Sequence, residues 1–218
     1  MNDVLNWLLR DARFLSSPEL VIESLCERLN ADGLPIDRAA VYLFSLHPLY
    51  AGVRYVWEEG KLTTDLGSHE FMASRAYAKT PMHDIARGAM QLIRRRLRDT
   101  DCPDDYPLVA EFRSEGFTDY VALPIRFSDG SINSVSIATR DRHGFTEDHI
   151  QSLNRIGDAF SLLIDNFRNR ELASTLMQTY VGRISGERVW SGQIRRGDGD
   201  VIDAIIWFSD LRNSTALR

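Results

Sequence analysis

One short stretch has the residue types and spacing that metal-assisted phosphate chemistry needs. Val201 to Asp210 reads VIDAIIWFSD, and LRNSTALR follows to Arg218. Ala204 to Phe208 is an unbroken apolar run of mainly branched and aromatic side chains, the pattern of a strand buried on both faces. Asp210 sits where that strand emerges. Leu211 to Thr215 then make a short polar turn before an Ala-Leu pair that can open a helix. A strand, an acid, a turn and a helix start can together hold a metal ion and a polyphosphate. The sequence stops one step later. Most of the domain that owns this strand is therefore expected to lie outside these 218 residues, and the 200 residues before it are expected to do something else.

Composition bounds what that is. Apolar residues make up 44% and charged residues 26%, enough for a buried core and a solvated surface in one or two domains. The net charge of -5 gives no electrostatic case for general binding to nucleic acid or to an anionic membrane surface. The apolar runs are too short to cross a bilayer. The N-terminal MNDVLNWLLRDARF carries acids early and has no small-residue cleavage site, so no signal peptide is expected. Cys26 and Cys102 are the two cysteines and make neither a disulfide framework nor a metal cluster, which points to a reducing cytoplasm.

The elements follow from periodicity and punctuation. Asn2 to Phe14 reads as a short amphipathic helix. Ser16-Ser17-Pro18 starts a second, carrying Leu20, Val21, Leu25 and Leu29 and ending near Gly33. Cys26 falls on that apolar face as a core thiol. Asp37 to Leu46 and Val53 to Trp57 read as strands, and from Gly60 to Pro81 the pattern weakens. Pro81 to Gly88 reads as one helical turn, Ala89 to Leu97 as a strand and Pro107 to Ser114 as a helix. Tyr120 to Phe127 and Ile132 to Thr139 are two strands joined by Ser128-Asp129-Gly130-Ser131, a strong hairpin signal. Pro124 belongs on an edge or at a bulge. Tight turns between neighbouring strands predict an α+β domain, a mostly antiparallel sheet flanked by helices.

Several polar groups have two readings. Arg94, Arg95, Arg96 and Arg98 form the strongest basic cluster. They suit an anion or nucleotide, or a solvated edge partly neutralised by Asp99, Asp101, Asp104 and Asp105; the nearby acids favour the edge. Cys102 could carry a thioether-linked chromophore, with nothing specific in support. His69, His83, His143 and His149 lack metal spacing and read as surface or capping residues. Tyr42, Phe44, Tyr55, Trp57 and Phe112 read as core rather than pocket lining.

Thr146 is the expected cap of the longest helix, running to Val181, about 54 Å at 1.5 Å per residue. Leu153, Ile156, Phe160, Leu163 and Phe167 step by 3, 4, 3 and 4, a heptad seam; Leu172, Leu176 and Tyr180 continue after a five-residue step, so the register slips near Arg168 to Glu171. The first half suits packing on the chain's own sheet, and the whole suits a parallel dimer helix that transmits a signal. A helix this long is expected to find a partner for part of its length. Gly182 to Asp200 reads as a helix-turn connector with Val189, Trp190 and Ile194 as apolar anchors.

The segment TYVGRISGERVWSGQIRRGDGDVIDAIIWFSDLRNSTAL closely resembles the entry into the catalytic domain of bacterial class III adenylate/guanylate cyclases. GFTDYVALPIRFSDGSINSVSIATRDRHGFTEDHI resembles the GAF-like sensory region upstream of such domains. The resemblance is most specific from Thr179 to Leu217 and looser before Pro107. It implies a GAF-like sensory domain over 1–145, a signalling and dimerisation helix over 146–182, a connector over 183–200 and the start of a catalytic domain over 201–218. It also implies that Asp210 and the backbone carbonyl of Leu211 bind Mg²⁺ (or Mn²⁺), and that Asn213, Ser214 and Thr215 form the turn holding the nucleotide phosphates. Asn213 stands where the family usually has Gly, and Ser214 where it often has an aromatic residue. The second metal-binding Asp, the base-selecting residues and the transition-state Asn and Arg of the family have no counterpart here.

The implied function is the regulatory portion of an adenylate cyclase. In full length it would convert ATP to cyclic AMP and pyrophosphate, while this chain by itself is inactive. The implied partners are a second copy through the long helix and an unknown small molecule in the sensor, without nucleic acid or membrane, in the cytoplasm. The alternatives are a stand-alone ligand-binding module that regulates a partner protein, and a sensor serving another output such as a kinase.

Overall fold

The computed structural model describes residues 2–45, 49–192, 203 and 205–209. It divides into two compact units, Met1–Arg170 and Glu171–Arg218, so the first ends where the heptad register slips.

The first unit opens with helices α1 (Asn2–Arg10) and α2 (Pro18–Ala31). Ser17 caps α2, its hydroxyl accepting from the Leu20 N–H, with Pro18 pre-set for the first turn. Six strands follow: β1 (Arg38–Phe44), β2 (Gly52–Glu58), β3 (Lys61–Gly67), β4 (Ile93–Arg96), β5 (Asp119–Arg126) and β6 (Ile132–Thr139). They form one sheet in the order β3-β2-β1-β6-β5-β4, and every adjacent pair is antiparallel. Short helices α3 (His69–Met72), α4 (Pro81–Ala86) and α5 (Pro107–Ser114) interrupt the strands, and α6 (Glu147–Val181) closes the unit. The expected α+β architecture is the observed one.

Three differences from the sequence expectation have physical causes. The weak stretch after Gly60 contains β3. It was illegible because β3 is an edge strand whose KLTTDLG residues are mostly exposed and keep no apolar alternation. The strand expected from Ala89 to Leu97 shortens to Ile93–Arg96, since only those residues pair with β5, from Asp119 to Ala122. Pro124 therefore lies past the end of β4, on the side of β5 where no ladder bond is needed.

Strand alternation sorts side chains to two faces. Ala39, Val41, Tyr55, Trp57, Val121 and Ile137 face the main core, where α1, α2 and α6 cover them. Leu153, Ile156, Phe160 and Leu163 are all buried in that core, with Phe167 packed at its margin. The heptad seam is thus used within the unit along its first half. Polar bonds pin the same helix to the β5–β6 hairpin. The Ser161 hydroxyl donates to the Arg126 carbonyl, and buried Asp165 accepts from the Ser128 N–H at 2.9 Å. Thr146 caps α6 as expected: its Oγ1 accepts from the His149 N–H at 3.1 Å, while His149 Nδ1 accepts from the Thr146 N–H at 3.3 Å.

On the opposite face a second core gathers Ile85, Ile93, Tyr106, Val109, Tyr120 and Ala122 beneath α4 and α5. Tyr106 donates its hydroxyl to Asp84 at 2.7 Å.

In the second unit, α6 continues to Val181, Gly182 turns the chain at φ 85°, and α7 (Arg183–Trp190) follows. A Cβ on Gly186 would stand 3.0 Å from the Met177 carbonyl, so only glycine permits this approach of α7 to α6. Leu172, Leu176 and Tyr180 are exposed. The strand expected over Val201 to Asp210 is not seen where the chain is described. Asp203 and residues 205–209 are in neither helix nor strand, and Ile205, Ile206, Trp207 and Phe208 are exposed. An apolar segment becomes a strand only when a neighbour satisfies its backbone groups.

Candidate functional site

At the β3-β2-β1 end of the sheet, the face away from the main core is not filled by side chains. Two cross-strand rows make its floor. Tyr42, Arg54 and Asp65 stand opposite one another on β1, β2 and β3, and Phe44, Gly52 and Gly67 form the next row. Arg54 donates to Asp65 Oδ2 from Nη2 at 2.7 Å and from Nε at 3.2 Å. The two glycines leave the second row without side chains beside Phe44. Gly52 has no alternative, because a Cβ there would meet the Leu43 carbonyl oxygen at 2.6 Å. A Cβ on Gly67 would meet only the Gly52 oxygen, at 3.6 Å.

The roof comes from the segment between β3 and β4. Ser68 caps α3 by accepting from the Phe71 N–H at 3.1 Å, which places Phe71 and Met72 over the floor. Tyr77 stands edge-on to Phe71 with ring centroids 6.0 Å apart, and Met82 of α4 completes the lining. The half-open space is about 380 Å³, within the range of small-molecule sites.

The ionisable groups of the lining are coupled. Burial disfavours the Arg54 charge, but the hydrogen bond and charge of Asp65 outweigh it and hold the guanidinium above its ordinary pKa. Burial pushes the Tyr42 phenol up, with the charges of Arg54 and Arg38 pulling the other way. Burial likewise raises Tyr77. Both phenols stay neutral, as donors and acceptors.

The sequence reading placed Tyr42 and Phe44 in the core with Tyr55 and Trp57. Alternation separates them: Tyr55 and Trp57 are buried in the main core, whereas Tyr42 and Phe44 line the cavity. Phe112 is at the margin of the second core. Arg54, Asp65, Phe71, Met72, Tyr77 and Met82 were missed. The available signal was a glycine at the outer end of each of two paired strands, a mark of close backbone approach.

The arginine cluster is not a solvated edge throughout. Arg94 donates to buried Asp119 from Nη2 at 2.8 Å, to Glu147 from Nη1 at 2.7 Å and to the Phe145 carbonyl. Asp119 also accepts from the Phe145 N–H at 3.0 Å and lies against Gly144, where a Cβ would stand 2.7 Å from its carboxylate. The cluster's first arginine thus clamps the start of α6 to the sheet. Arg95 is bound by Asp105, one of the acids expected to neutralise the cluster.

Cys26 is buried in the main core, where desolvation pushes its thiol far up, and Cys102 is half-buried beside the second core. Neither lines the cavity. Among the described residues no three His, Cys, Asp or Glu side chains come together as a metal site, and no helix is long and apolar enough to cross a membrane. Asp210, Leu211, Asn213, Ser214 and Thr215 lie outside the described residues.

An antiparallel six-stranded sheet with helices on both faces is the GAF-like fold, and solved structures agree. The GAF domain of a two-component sensor histidine kinase from Bacillus halodurans superposes with a TM-score of 0.53 at 16% identity, over 72% of this chain and 99% of that one. The phycocyanobilin-bound GAF domain of a cyanobacterial phytochrome gives 0.53 at 17% identity, over 78% and 96%. The GAF domain of a phosphoenolpyruvate-protein phosphotransferase from Coxiella burnetii gives 0.52 at 13% identity, over 78% and 96%. At these identities the likeness is one of fold. No protein-family model matches the chain, and no curated protein matches it.

Proposed function

We propose that the chain is the regulatory portion of a class III adenylate cyclase, in which a small ligand in the cavity over β1–β3 sets the pairing of α6 between two copies. The observation that carries the reading is the continuity of one helix. Glu147–Val181 supplies Leu153, Ile156 and Phe160 to the core behind the cavity-bearing sheet, and the same 35 residues extend past the first unit with Leu172, Leu176 and Tyr180 exposed. A ligand that favours one arrangement of the sheet biases the helix with it, and a coupling of about 1–3 kcal/mol is enough for regulation.

The cyclase output rests on the resemblance of Thr179 to Leu217. In that reading ATP is the substrate of the longer protein. The Asp210 carboxylate and the Leu211 carbonyl, hard oxygen donors, suit Mg²⁺ or Mn²⁺, and Asn213, Ser214 and Thr215 receive the phosphates. A phytochrome neighbour carries a bilin, but no cysteine lines the cavity here, so an attached chromophore at Cys102 is not part of the proposal.

The test is light scattering on the purified chain coupled to a cyclase assay. The expected result is a dimer at micromolar concentration that Leu172→Asp with Leu176→Asp converts to monomer without lowering the Tm of the first unit. A wild-type monomer sinks the dimer, and cyclic AMP formed above a no-protein blank sinks the inactivity of this chain.

A further inference from the structure

The cavity's own residues narrow the ligand further than the fold does. Among the described residues, the charged side chains in its lining are one cation and one anion, Arg54 and Asp65, already joined at 2.7 Å. The site is therefore electrically balanced. A ligand carboxylate or phosphate meets no unbalanced positive charge here, because Asp65 already offsets Arg54. The Ser68 hydroxyl is occupied as the cap of α3. Beside the aliphatic Leu43, Val53 and Leu66, the lining carries Tyr42, Phe44, Phe71, Tyr77, Met72 and Met82, which favour aromatic and polarisable partners.

Shape adds a second, independent limit. The Phe44–Gly52–Gly67 row presents bare backbone with an aromatic ring at one end, a flat floor. The roof is a pair of rings and two methionines. Bare backbone lets a flat ring lie close to this floor.

We infer that the cavity takes a flat, uncharged aromatic ring compound with a polar edge, the ring over the Gly52–Gly67 floor and the edge hydrogen-bonded to the Arg54–Asp65 pair. The inference rests on the proposed reading of the cavity as the sensor site. It predicts that a nucleotide or an aromatic acid binds worse than the neutral ring of the same size.

Isothermal titration of the purified chain with indole, indole-3-carboxylate and AMP tests it. Indole is expected to bind at least tenfold more tightly than either anion. Gly67→Val should weaken indole at least tenfold by putting a side chain on the floor. Its Tm should not fall, because Gly67 has room for a Cβ and valine suits a strand. Asp65→Asn frees the Arg54 charge and should raise affinity for indole-3-carboxylate at least tenfold. Indole failing to bind, or binding equally to Gly67→Val, overturns the proposal, as does wild-type preference for either anion. An anion whose binding Gly67→Val abolishes would overturn the ligand class and leave the cavity as the sensor site. If none of the three binds and native mass spectrometry of the chain shows no retained small molecule, the sensor reading falls with it.

Discussion

Beneath α2 and α6 the sheet leaves a void of about 50 Å³, lined by apolar side chains such as Ile22, Cys26, Val41 and Phe160, with a separate groove of about 490 Å³ at the margin between β5 and α6. The opposite face, above Tyr42, Phe44 and Arg54, leaves about 380 Å³. The same strands build both, with alternate residues. The difference lies in what stands opposite: long apolar helices on one side, and on the other two glycines under short helices that touch only the rim. One face holds the fold together and carries α6. On the other, the second core under α4 and α5 packs the β4–β5 end, and the β1–β3 end is left free to change occupant.

Substitutions should break this contrast in proportion to packing. Phe160→Ala, on the closed face, is expected to cost about 3–5 kcal/mol in urea unfolding, whereas Phe71→Ala, exposed in the cavity roof, should cost under about 1 kcal/mol and show itself in ligand binding instead. An equal cost at both positions would abolish the distinction.

Two ion pairs repeat the comparison. Asp119→Ala removes a buried carboxylate, leaves part-buried Arg94 with Glu147 as its remaining carboxylate and should cost about 3 kcal/mol; Asp65→Ala, at an exposed pair, should cost about 0–1 kcal/mol by the same measurement. Glycines sharpen it further. Gly52→Ala drives a Cβ into the Leu43 carbonyl and is expected to lose about 1–3 kcal/mol, while Gly67→Ala, whose Cβ makes only ordinary contact with the Gly52 oxygen, should gain roughly 0.5 kcal/mol. In the middle of α6, Gly157 has nothing within 4 Å of a built Cβ, so Gly157→Ala should gain about 1 kcal/mol, seen as a higher Tm.

The smallest effect is a pH dependence. Burial, then the bond to Asp84, pushes the Tyr106 hydroxyl up to about 12. The neutral phenol is the form the fold favours, so its contribution is complete below its ordinary pKa of about 10 and is lost as pH rises through about 12. Wild type should lose stability over that interval, and Tyr106→Phe should lose less, as read by urea midpoints alongside tyrosinate absorbance.

How much of this was legible depended on range in the chain. The Ser17 and Thr146 caps, the Asp129-Gly130 turn and the apolar steps of α6 are local signals, and each element stands where its signal put it. Edge strand β3 has exposed sides and so left no pattern. The seam from Leu153 to Phe167 shows that α6 has an apolar stripe, but periodicity is identical whether the stripe meets its own sheet or another helix. The fate of Arg94 was invisible for a similar reason: its partners Asp119 and Glu147 are 25 and 53 residues away, while the acids that seemed to neutralise it are closer in sequence.

Taken alone, the sequence determined most element types apart from edge strand β3, the antiparallel α+β class and the existence of a helix too long for one domain, because capping, turn chemistry and hydrophobic period act over a few residues. Tertiary structure alone decided that Tyr42 meets Arg54 and Asp65, that Phe44 lies beside two glycines, and that Arg94 is sealed against Asp119. Those are matters of strand register and packing, in which residues far apart along the chain exclude water from one another.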